Sequence, residues 1–326
     1  MTQVSPRRAW APALLGLGWW MGVLGAGLVV SSTWREHWGL LLLVSAIAGG
    51  LAGLAAIVVV SSRARSSVQV IDVPLKAAAS IVRRPVRASA FSLPKEGTSQ
   101  SDNEDAHGVN EALGVAAISD GASSSFDSAR WARALCDAFA AAPPQLEHDR
   151  FTDWVVRTSA GYRAAGAASG ADWWGSATSG RTSHATFVGV QVGSAGEGIR
   201  WSALAVGDSV AVQVRRVADG AHTLVDGFPI DRSGGFSGEP WLLSSSIERA
   251  EEMPPVRVGT GSARTGDVLL VMTDELARWS LARDEAARPV WDLLVGSDAD
   301  LAATIAAERA AGAMVNDDMT LVRVSL

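Results

Sequence analysis

The chain has 326 residues, of which 28 are basic and 34 acidic, and a formal net charge of −6. Hydrophobic residues make up 48% and charged residues 19%. This excludes a chain disordered throughout, because disordered chains are rich in charge and poor in apolar residues. The single cysteine, Cys136, excludes an intramolecular disulfide and any metal site built from several cysteines.

The N-terminal 65 residues contain two long apolar runs, about residues 9–30 and 39–60, separated by the charged pair Arg35 and Glu36. Each run has about 22 residues, and about 20 helical residues are enough to cross the hydrocarbon core of a bilayer. A signal peptide followed by a buried core helix is the alternative, but the apolar region of a signal peptide ends by about 15 residues. The pattern therefore predicts two transmembrane helices within residues 1–65.

The basic residues near these runs predict their orientation. Two arginines precede the first run and two follow the second, whereas Arg35 in the loop is offset by Glu36. Cytoplasmic flanks of membrane helices are enriched in Arg and Lys. We therefore expect a multi-pass protein of the cytoplasmic (inner) membrane with both termini in the cytoplasm.

Two further features concern the membrane part. Ser45, Gly49 and Gly53 share one face of the second run, and small residues allow close helix packing, within the hairpin or in a homodimer. Residues 66–87 are predicted to form a juxtamembrane linker. Its Arg83–Arg84 pair suits either anionic membrane lipid or solvent.

The net charge of the chain after residue 66 limits the classes of partner that it can bind. Residues 1–66 carry a net charge of +4, which leaves −10 on the remainder. An acidic domain does not attract a phosphate backbone through its overall field, so we expect no nucleic-acid partner.

Short apolar runs rich in β-branched residues predict strands, and longer segments with helical spacing predict helices. The order of elements lacks the alternating βαβ rhythm of a doubly wound sheet. We therefore expect an α+β domain over residues 88–326, a sandwich of two antiparallel β-sheets flanked by helices. The predicted strands are 88–93, 114–119, 185–192, 200–206, 210–217, 267–273 and 319–325, and the predicted helices are 128–141, 149–165 and 298–311.

Acidic residues recur at the ends of these strands. A carboxylate at the end of a buried strand is costly unless it is paired or binds a metal, although a single aspartate there is commonly a turn residue. Carboxylate oxygens without His or Cys favour Mg²⁺ or Mn²⁺ over zinc. The motifs are SDNEDA with Glu104 and Asp105, ISDGAS with Asp120 and Gly121, AVGDS with Asp208, MTDELA with Asp274, and NDDMTLV with Asp317.

In order and spacing, these motifs resemble the metal-dependent serine/threonine protein phosphatases, the type 2C phosphatases, and in particular their bacterial members. The resemblance covers about residues 88–326 and implies hydrolysis by attack of a water activated by two Mg²⁺ or Mn²⁺ ions. It assigns Asp120 to both metals, the Gly121 carbonyl and Asp105 (beside Glu104) to the first, Asp274 and Asp317 to the second, and Asp208 to a third, weaker site. The candidate catalytic residues that the resemblance implies are Asp120, Asp105 and Glu104.

The sequence departs from this family in three places. Gln100 stands where the family has an arginine that binds the substrate phosphate. Gln100 is still a candidate phosphate contact, because a neutral amide can hydrogen-bond a phosphate although it lacks the charge and fork of a guanidinium. Lys95 is the other candidate. Glu275 and Arg278 replace a glycine and an acidic residue near the third-metal site, which weakens the expectation of a third ion. Ala122 stands where eukaryotic members have a histidine.

Three functions remain open. The first is a membrane-anchored phosphatase that removes phosphate from serine or threonine of cytoplasmic proteins, with a serine/threonine kinase as its natural opponent. The second is a catalytically weak or inactive module that recognises phosphoproteins on the same fold, an alternative motivated by Gln100 and Glu275. The third is a metal-dependent hydrolase of non-protein phosphoesters.

Overall fold

The computed structural model describes residues 82–168, 182–195 and 198–326. Both predicted transmembrane helices lie outside these ranges. Within them, no helix combines the length and apolar character needed to cross a membrane. The short strand Val82–Arg83 falls inside the predicted linker and pairs with Ser194 and Gly193, so the folded part of the chain includes residues before Ala88.

The described residues form thirteen strands and five α-helices, joined by loops and short 3₁₀ turns. The strands are β1 (Val82–Arg83), β2 (Arg87–Leu93), β3 (Ala106–Asn110), β4 (Val115–Ser119), β5 (His184–Ala185), β6 (Phe187–Ala195), β7 (Gly198–Val206), β8 (Val210–Arg216), β9 (His222–Phe228), β10 (Leu243–Ser244), β11 (Arg257–Ala263), β12 (Val268–Met272) and β13 (Met319–Ser325). The α-helices are α1 (Ser128–Ala141), α2 (His148–Ala168), α3 (Asp274–Glu285), α4 (Trp291–Val295) and α5 (Asp298–Ala310).

The longer strands build two antiparallel sheets. The first has the order β11–β7–β6–β4–β3, with β1 also paired to β6, and the second has the order β2–β13–β12–β8–β9. Strands β5 and β10 form a separate two-stranded ladder. This arrangement confirms the predicted α+β fold with antiparallel sheets.

Three apolar clusters define the layers of the sandwich. Ile118, Trp201 and Val271 belong to the cluster between the two sheets. A second cluster packs α1 and α2 on the outer face of the first sheet, and a third packs α3, α4 and α5 on the second sheet. Both faces of the central strands are therefore covered, which explains why a strand such as β12 is apolar at consecutive positions.

Most predicted elements match the structure within a few residues. The predicted strand 185–192 is divided at Thr186, where β5 ends and β6 begins. Strand β11 was not predicted, because Gly259 and Gly261 suggest a turn. Here they lie inside the strand, and a Cβ on either would clash with the buried ring of Phe228 or Trp201. The sequence also does not predict strands β1, β3, β9 and β10 or helices α3 and α4.

Candidate active site

The first sheet brings two of the predicted ligands together. Asp105 directly precedes β3 and Asp120 directly follows β4, and these strands are paired so that Ala106 lies opposite Ser119. Two hydrogen bonds with Thr186 hold the backbone of Asp120. The Thr186 N–H donates to the Asp120 carbonyl at 2.8 Å, and the Asp120 N–H donates to Thr186 Oγ1 at 3.1 Å.

The second sheet contributes the other three aspartates at the same end of the sandwich. Asp274 follows β12 and Asp317 precedes β13, two strands that are paired through these ends. Asp208 precedes β8, whose first residue also lies opposite the end of β12. A hydrogen bond of 3.0 Å from Thr273 Oγ1 to Asp105 Oδ2 links the two sheets at this point.

Burial and the crowding of like charges raise the pKa values of Asp105, Asp120, Asp208 and Asp274. Burial raises the pKa of Asp120 well above its usual value, and the charges of the four other predicted aspartates raise it further. Burial is also the first cause of a raised pKa at Asp105 and Asp274. At Asp208, burial and the charge of Asp274 raise the pKa to about 7. The end of the sandwich therefore holds more negative charge than it can stabilise alone.

These residues fit a divalent cation by charge and donor type. Asp105 Oδ1 is buried and has no hydrogen-bond partner among the described residues, which is costly unless a cation is present. All the acidic side chains offer hard oxygen ligands, which Mg²⁺ and Mn²⁺ prefer. In the described part of the chain, no three His, Cys, Asp or Glu side chains stand close enough to hold a metal as they are.

A lysine lies at the edge of this acidic cluster. Lys95 Nζ is 3.1 Å from Glu104 Oε2, 2.9 Å from Ser123 Oγ and 3.3 Å from Asp317 Oδ1. Burial would lower the pKa of Lys95, but the hydrogen bond to Glu104 and the nearby acidic charges outweigh this effect and raise it. Lys95 is thus a charged group within reach of the predicted site.

Glu104 has a different environment from Asp105. Its Oε1 accepts a hydrogen bond of 2.7 Å from Ser128 Oγ, and its Oε2 accepts from Lys95 and Ser123. Burial would raise the pKa of Glu104, yet these hydrogen bonds lower it overall. Glu104 therefore holds Lys95 and the start of α1, rather than sharing the aspartate cluster.

Gln100, the second predicted phosphate contact, lies elsewhere. It is exposed on a short 3₁₀ turn, and its Nε2 donates to Ser92 Oγ at 3.3 Å. The structure brings Lys95, and not Gln100, into contact with predicted site residues.

Gly121 occupies a position that no other residue fits. A Cβ there would lie 2.8 Å from the Glu104 carbonyl oxygen and 2.9 Å from the Ser128 carbonyl carbon. The Gly121 N–H donates to that Glu104 oxygen at 3.2 Å. The close approach explains the Asp–Gly pair independently of any role for the Gly121 carbonyl.

Sequence reasoning missed the role of Asp318. This buried side chain accepts hydrogen bonds from the backbone N–H groups of Lys95, at 2.8 Å, and Glu104, at 3.0 Å. It thereby joins three segments that are far apart in sequence. Its position beside Asp317 in the NDDM motif was the available signal, but only the fold separates the two roles.

Glu275 and Arg278, which differ from the residues usual in the family, form an ion pair with each other. Arg278 donates to both carboxylate oxygens of buried Glu275, from Nε at 2.9 Å and from Nη2 at 2.8 Å. Glu275 Oε1 also accepts from the Val315 N–H at 2.8 Å. The pair therefore ties the first turn of α3 to the loop that leads to Asp317.

A cavity of about 690 Å³ lies beside the site, lined in part by Ser124, Ser125 and His184. Its lining residues Ser124 and Ser125 directly follow Ser123, which accepts a hydrogen bond from Lys95. Its size is in the range of small-molecule sites.

The comparison with protein families agrees with this geometry. Residues 95–305 match the family model described as protein phosphatase 2C, which is more than half of the chain. The chain belongs to the protein phosphatase 2C family. The matched range contains Lys95 and all the predicted metal ligands except Asp317.

Several solved structures are similar to this phosphatase domain. PppA, described as a key regulatory component of T6SS in Pseudomonas aeruginosa, is 18% identical, with 74% of this chain and 98% of that chain covered and a TM-score of 0.48. Stp1, a serine/threonine phosphatase from Staphylococcus aureus, is 15% identical, with coverage of 77% and 99% and a TM-score of 0.47. The PstP catalytic domain, in complex with two manganese ions, is 18% identical, with coverage of 74% and 97% and a TM-score of 0.44. No curated protein sequence matches the chain significantly.

The raised pKa of Asp208 makes stability depend on pH. A carboxyl group whose pKa is raised to about 7 in the folded state favours folding when protonated, and this stability is lost as pH rises through that value. For the metal-free protein in EDTA, we expect Tm to fall by about 5 °C or more between pH 5 and pH 8. Calorimetric scans measure this, and Mg²⁺ should restore Tm at pH 8.

Asp208→Asn serves as the control for that measurement. Because the amide does not titrate, the fall in Tm of this variant should be smaller. A Tm that rises from pH 5 to pH 8 in EDTA would contradict the expectation.

Proposed function

We propose that this chain is a Mg²⁺- or Mn²⁺-dependent phosphatase that hydrolyses phosphoserine and phosphothreonine on cytoplasmic proteins. The observation that carries the proposal is that five aspartates from both sheets lie at one end of the sandwich, where burial and the neighbouring carboxylate charges raise the pKa of Asp120. Such an excess of carboxylate is expensive without a cation. Membership of the protein phosphatase 2C family supports the same reaction class.

Each aspartate has an assigned part in this proposal. Asp105, Asp120 and the Gly121 carbonyl would hold one ion, and Asp120, Asp274 and Asp317 a second, with Asp208 near a third, weaker one. When bound, the ions supply an activated water and neutralise charge on the phosphoryl group. Thr273 donates a 3.0 Å hydrogen bond to Asp105 Oδ2. This bond fixes the orientation of the Asp105 carboxylate.

Lys95 is the residue that we assign to the substrate phosphate. Its ammonium group is only partly buried and already contacts Ser123 and Asp317. A lysine binds phosphate as a point charge, whereas an arginine would add a fork of two hydrogen bonds. We therefore expect weaker substrate binding than an arginine would give, and no direct part for Gln100.

The recognition module is the second candidate, and one observation favours it. Lys95 Nζ lies 3.3 Å from Asp317 Oδ1, so its ammonium group pairs with a proposed metal ligand. If this ion pair excluded the second ion, the chain would bind phosphoproteins without turning them over.

One assay separates the two candidates. Full-length chain in detergent is mixed with a phosphothreonine peptide, with Mn²⁺ or with EDTA, and phosphate release is measured. The phosphatase predicts release that requires Mn²⁺ and stops with EDTA. Binding of peptide and Mn²⁺ without release would instead support the recognition module, and hydrolysis restricted to small phosphoesters would redirect the proposal to a non-protein substrate.

We also propose that residues 1–65 anchor the phosphatase domain to the cytoplasmic membrane, with both termini in the cytoplasm. The support is the pair of apolar runs of about 22 residues and their arginine flanks. Membrane-associated phosphoproteins, including a serine/threonine kinase, would then be its partners, and pairing of the helices would give a homodimer. Alkaline extraction of cell membranes should leave the full chain in the pellet and release a chain that lacks residues 1–65. Release of both would contradict the anchor.

A further inference from the structure

A second polar cavity lies at the opposite end of the sandwich from the aspartates. It measures about 490 Å³ and is lined by residues of β7, β8, β9 and β11. Strands β9 and β11 are edge strands of the two sheets. Arg215 lies five residues beyond Val210 along β8, about 16 Å at 3.3 Å per residue. Val210 pairs with Met272 next to the acidic cluster, so the cavity is well separated from the candidate active site.

Three arginines line this cavity: Arg200, Arg215 and Arg264. Arg200 and Arg264 are exposed, and no described carboxylate forms an ion pair with either. Asp226 also lines the cavity, and Arg215 is paired with Asp267. Three arginines against two aspartates leave a net positive charge, within a domain that is acidic overall.

A buried hydrogen-bond network holds Arg215 in place. Its Nε and Nη2 donate to the two carboxylate oxygens of Asp267 at 2.7 and 2.6 Å. Gln213 donates to Asp267 at 2.7 Å and accepts from Trp201 Nε1 at 2.7 Å. Because Trp201, Gln213 and Asp267 are all buried, the guanidinium is held rigidly, and no hydrogen bond within the described residues uses its Nη1.

A purely structural purpose explains only part of this arrangement. Asp267 also accepts from the Arg264 backbone N–H at 2.9 Å, so the network braces the turn between β11 and β12. Bracing does not require charged side chains at Arg200 and Arg264, nor an open cavity between them.

We propose that this cavity binds the phosphate group of a small molecule. A fixed guanidinium flanked by two further arginines suits the charge and geometry of a phosphate, since arginine donates paired hydrogen bonds to its oxygens. The hydroxyl groups of Thr260 and Ser262, which also line the cavity, offer additional donors. The volume is in the range of small-ligand pockets, and the site is independent of the proposed catalytic function.

Calorimetric titration of the full-length chain in detergent tests the proposal. EDTA removes metal from the acidic end, and the probes are inorganic phosphate, pyrophosphate and ADP. We expect saturable binding of at least one probe with a Kd below about 1 mM. Stronger binding of ADP than of phosphate would identify a nucleotide-like source, and similar affinities would identify free phosphate. Both results support phosphate recognition.

The variant Arg200→Gln/Arg264→Gln should weaken this binding at least tenfold and leave Tm unchanged, because both side chains are exposed. Arg150→Gln, an exposed arginine on α2 outside the cavity, is the matched control and should bind as the wild type does. Hydrogen exchange measured by mass spectrometry should show slower exchange over residues 257–266 on binding. No saturable binding, equal affinity in the double variant, or protection confined to residues 102–123 would overturn the proposal.

Discussion

Replacing Asp120 with asparagine should abolish metal-dependent phosphate release, with a loss in kcat of at least ~10³-fold, equivalent to ~4 kcal/mol. The Asp120 carboxylate interacts with the charges of Asp105, Asp274, Asp317 and Asp208, so its loss removes the charge that couples the two sets of ligands. Steady-state assays with the phosphothreonine peptide and Mn²⁺ measure the effect.

The same variant should have an opposite effect on stability. Removing one of several repelling carboxylates relieves like-charge repulsion, so Asp120→Asn should raise Tm in EDTA while it reduces the Tm increase caused by Mn²⁺. Asp153→Asn is the matched control, an exposed aspartate on α2, and should change neither activity nor the response to Mn²⁺. Unchanged turnover in Asp120→Asn would remove the aspartate cluster from the mechanism.

Replacing Lys95 with methionine should raise KM for the phosphopeptide at least ~10-fold, about 1.4 kcal/mol, with a smaller change in kcat. This is the expected pattern when a charge that binds the substrate phosphate is lost. Lys95→Arg should bind the phosphopeptide at least as tightly as the wild type, because it keeps the charge and adds a fork of donors. The measurement is the dependence of initial rate on peptide concentration at saturating Mn²⁺.

A second measurement separates substrate binding from competition with metal. The chain has two lysines, Lys76 and Lys95, so reductive methylation with ¹³C gives Lys95 a resolvable NMR signal. This signal should move when Mg²⁺ is added and again when a phosphopeptide analogue is added. If Lys95→Met instead left KM unchanged and tightened Mn²⁺ binding, Lys95 would be only a counter-ion of the carboxylates.

Local sequence was enough to predict the sandwich and the positions of its acidic residues. Strand β12 is apolar at every position because both of its faces are covered, and Asp274 follows where that run stops. Helix α1 has the predicted bounds, Ser128–Ala141, because its apolar residues repeat with the helical period. These features depend on neighbours within a few residues, so a single sequence contains them.

Elements with glycine or mixed polarity were not predictable in the same way. Gly259 and Gly261 suggest a turn, yet they belong to β11 because the rings of Phe228 and Trp201 occupy the space of a side chain. That requirement comes from residues on other strands, which no local pattern reveals.

Short-range periodicity and residue type are enough to predict the fold class, the acidic motifs at strand ends and a preference for hard cations. They do not predict which residues come into contact in the folded chain. Thr273 donates a hydrogen bond to Asp105, which is 168 residues away in sequence, and the Lys95 backbone N–H donates one to Asp318, which is 223 residues away. The tertiary structure also places Lys95 at the carboxylates and Gln100 beside Ser92. The physical reason is that these contacts depend on strand register and sheet packing, which bring together segments that are distant in sequence.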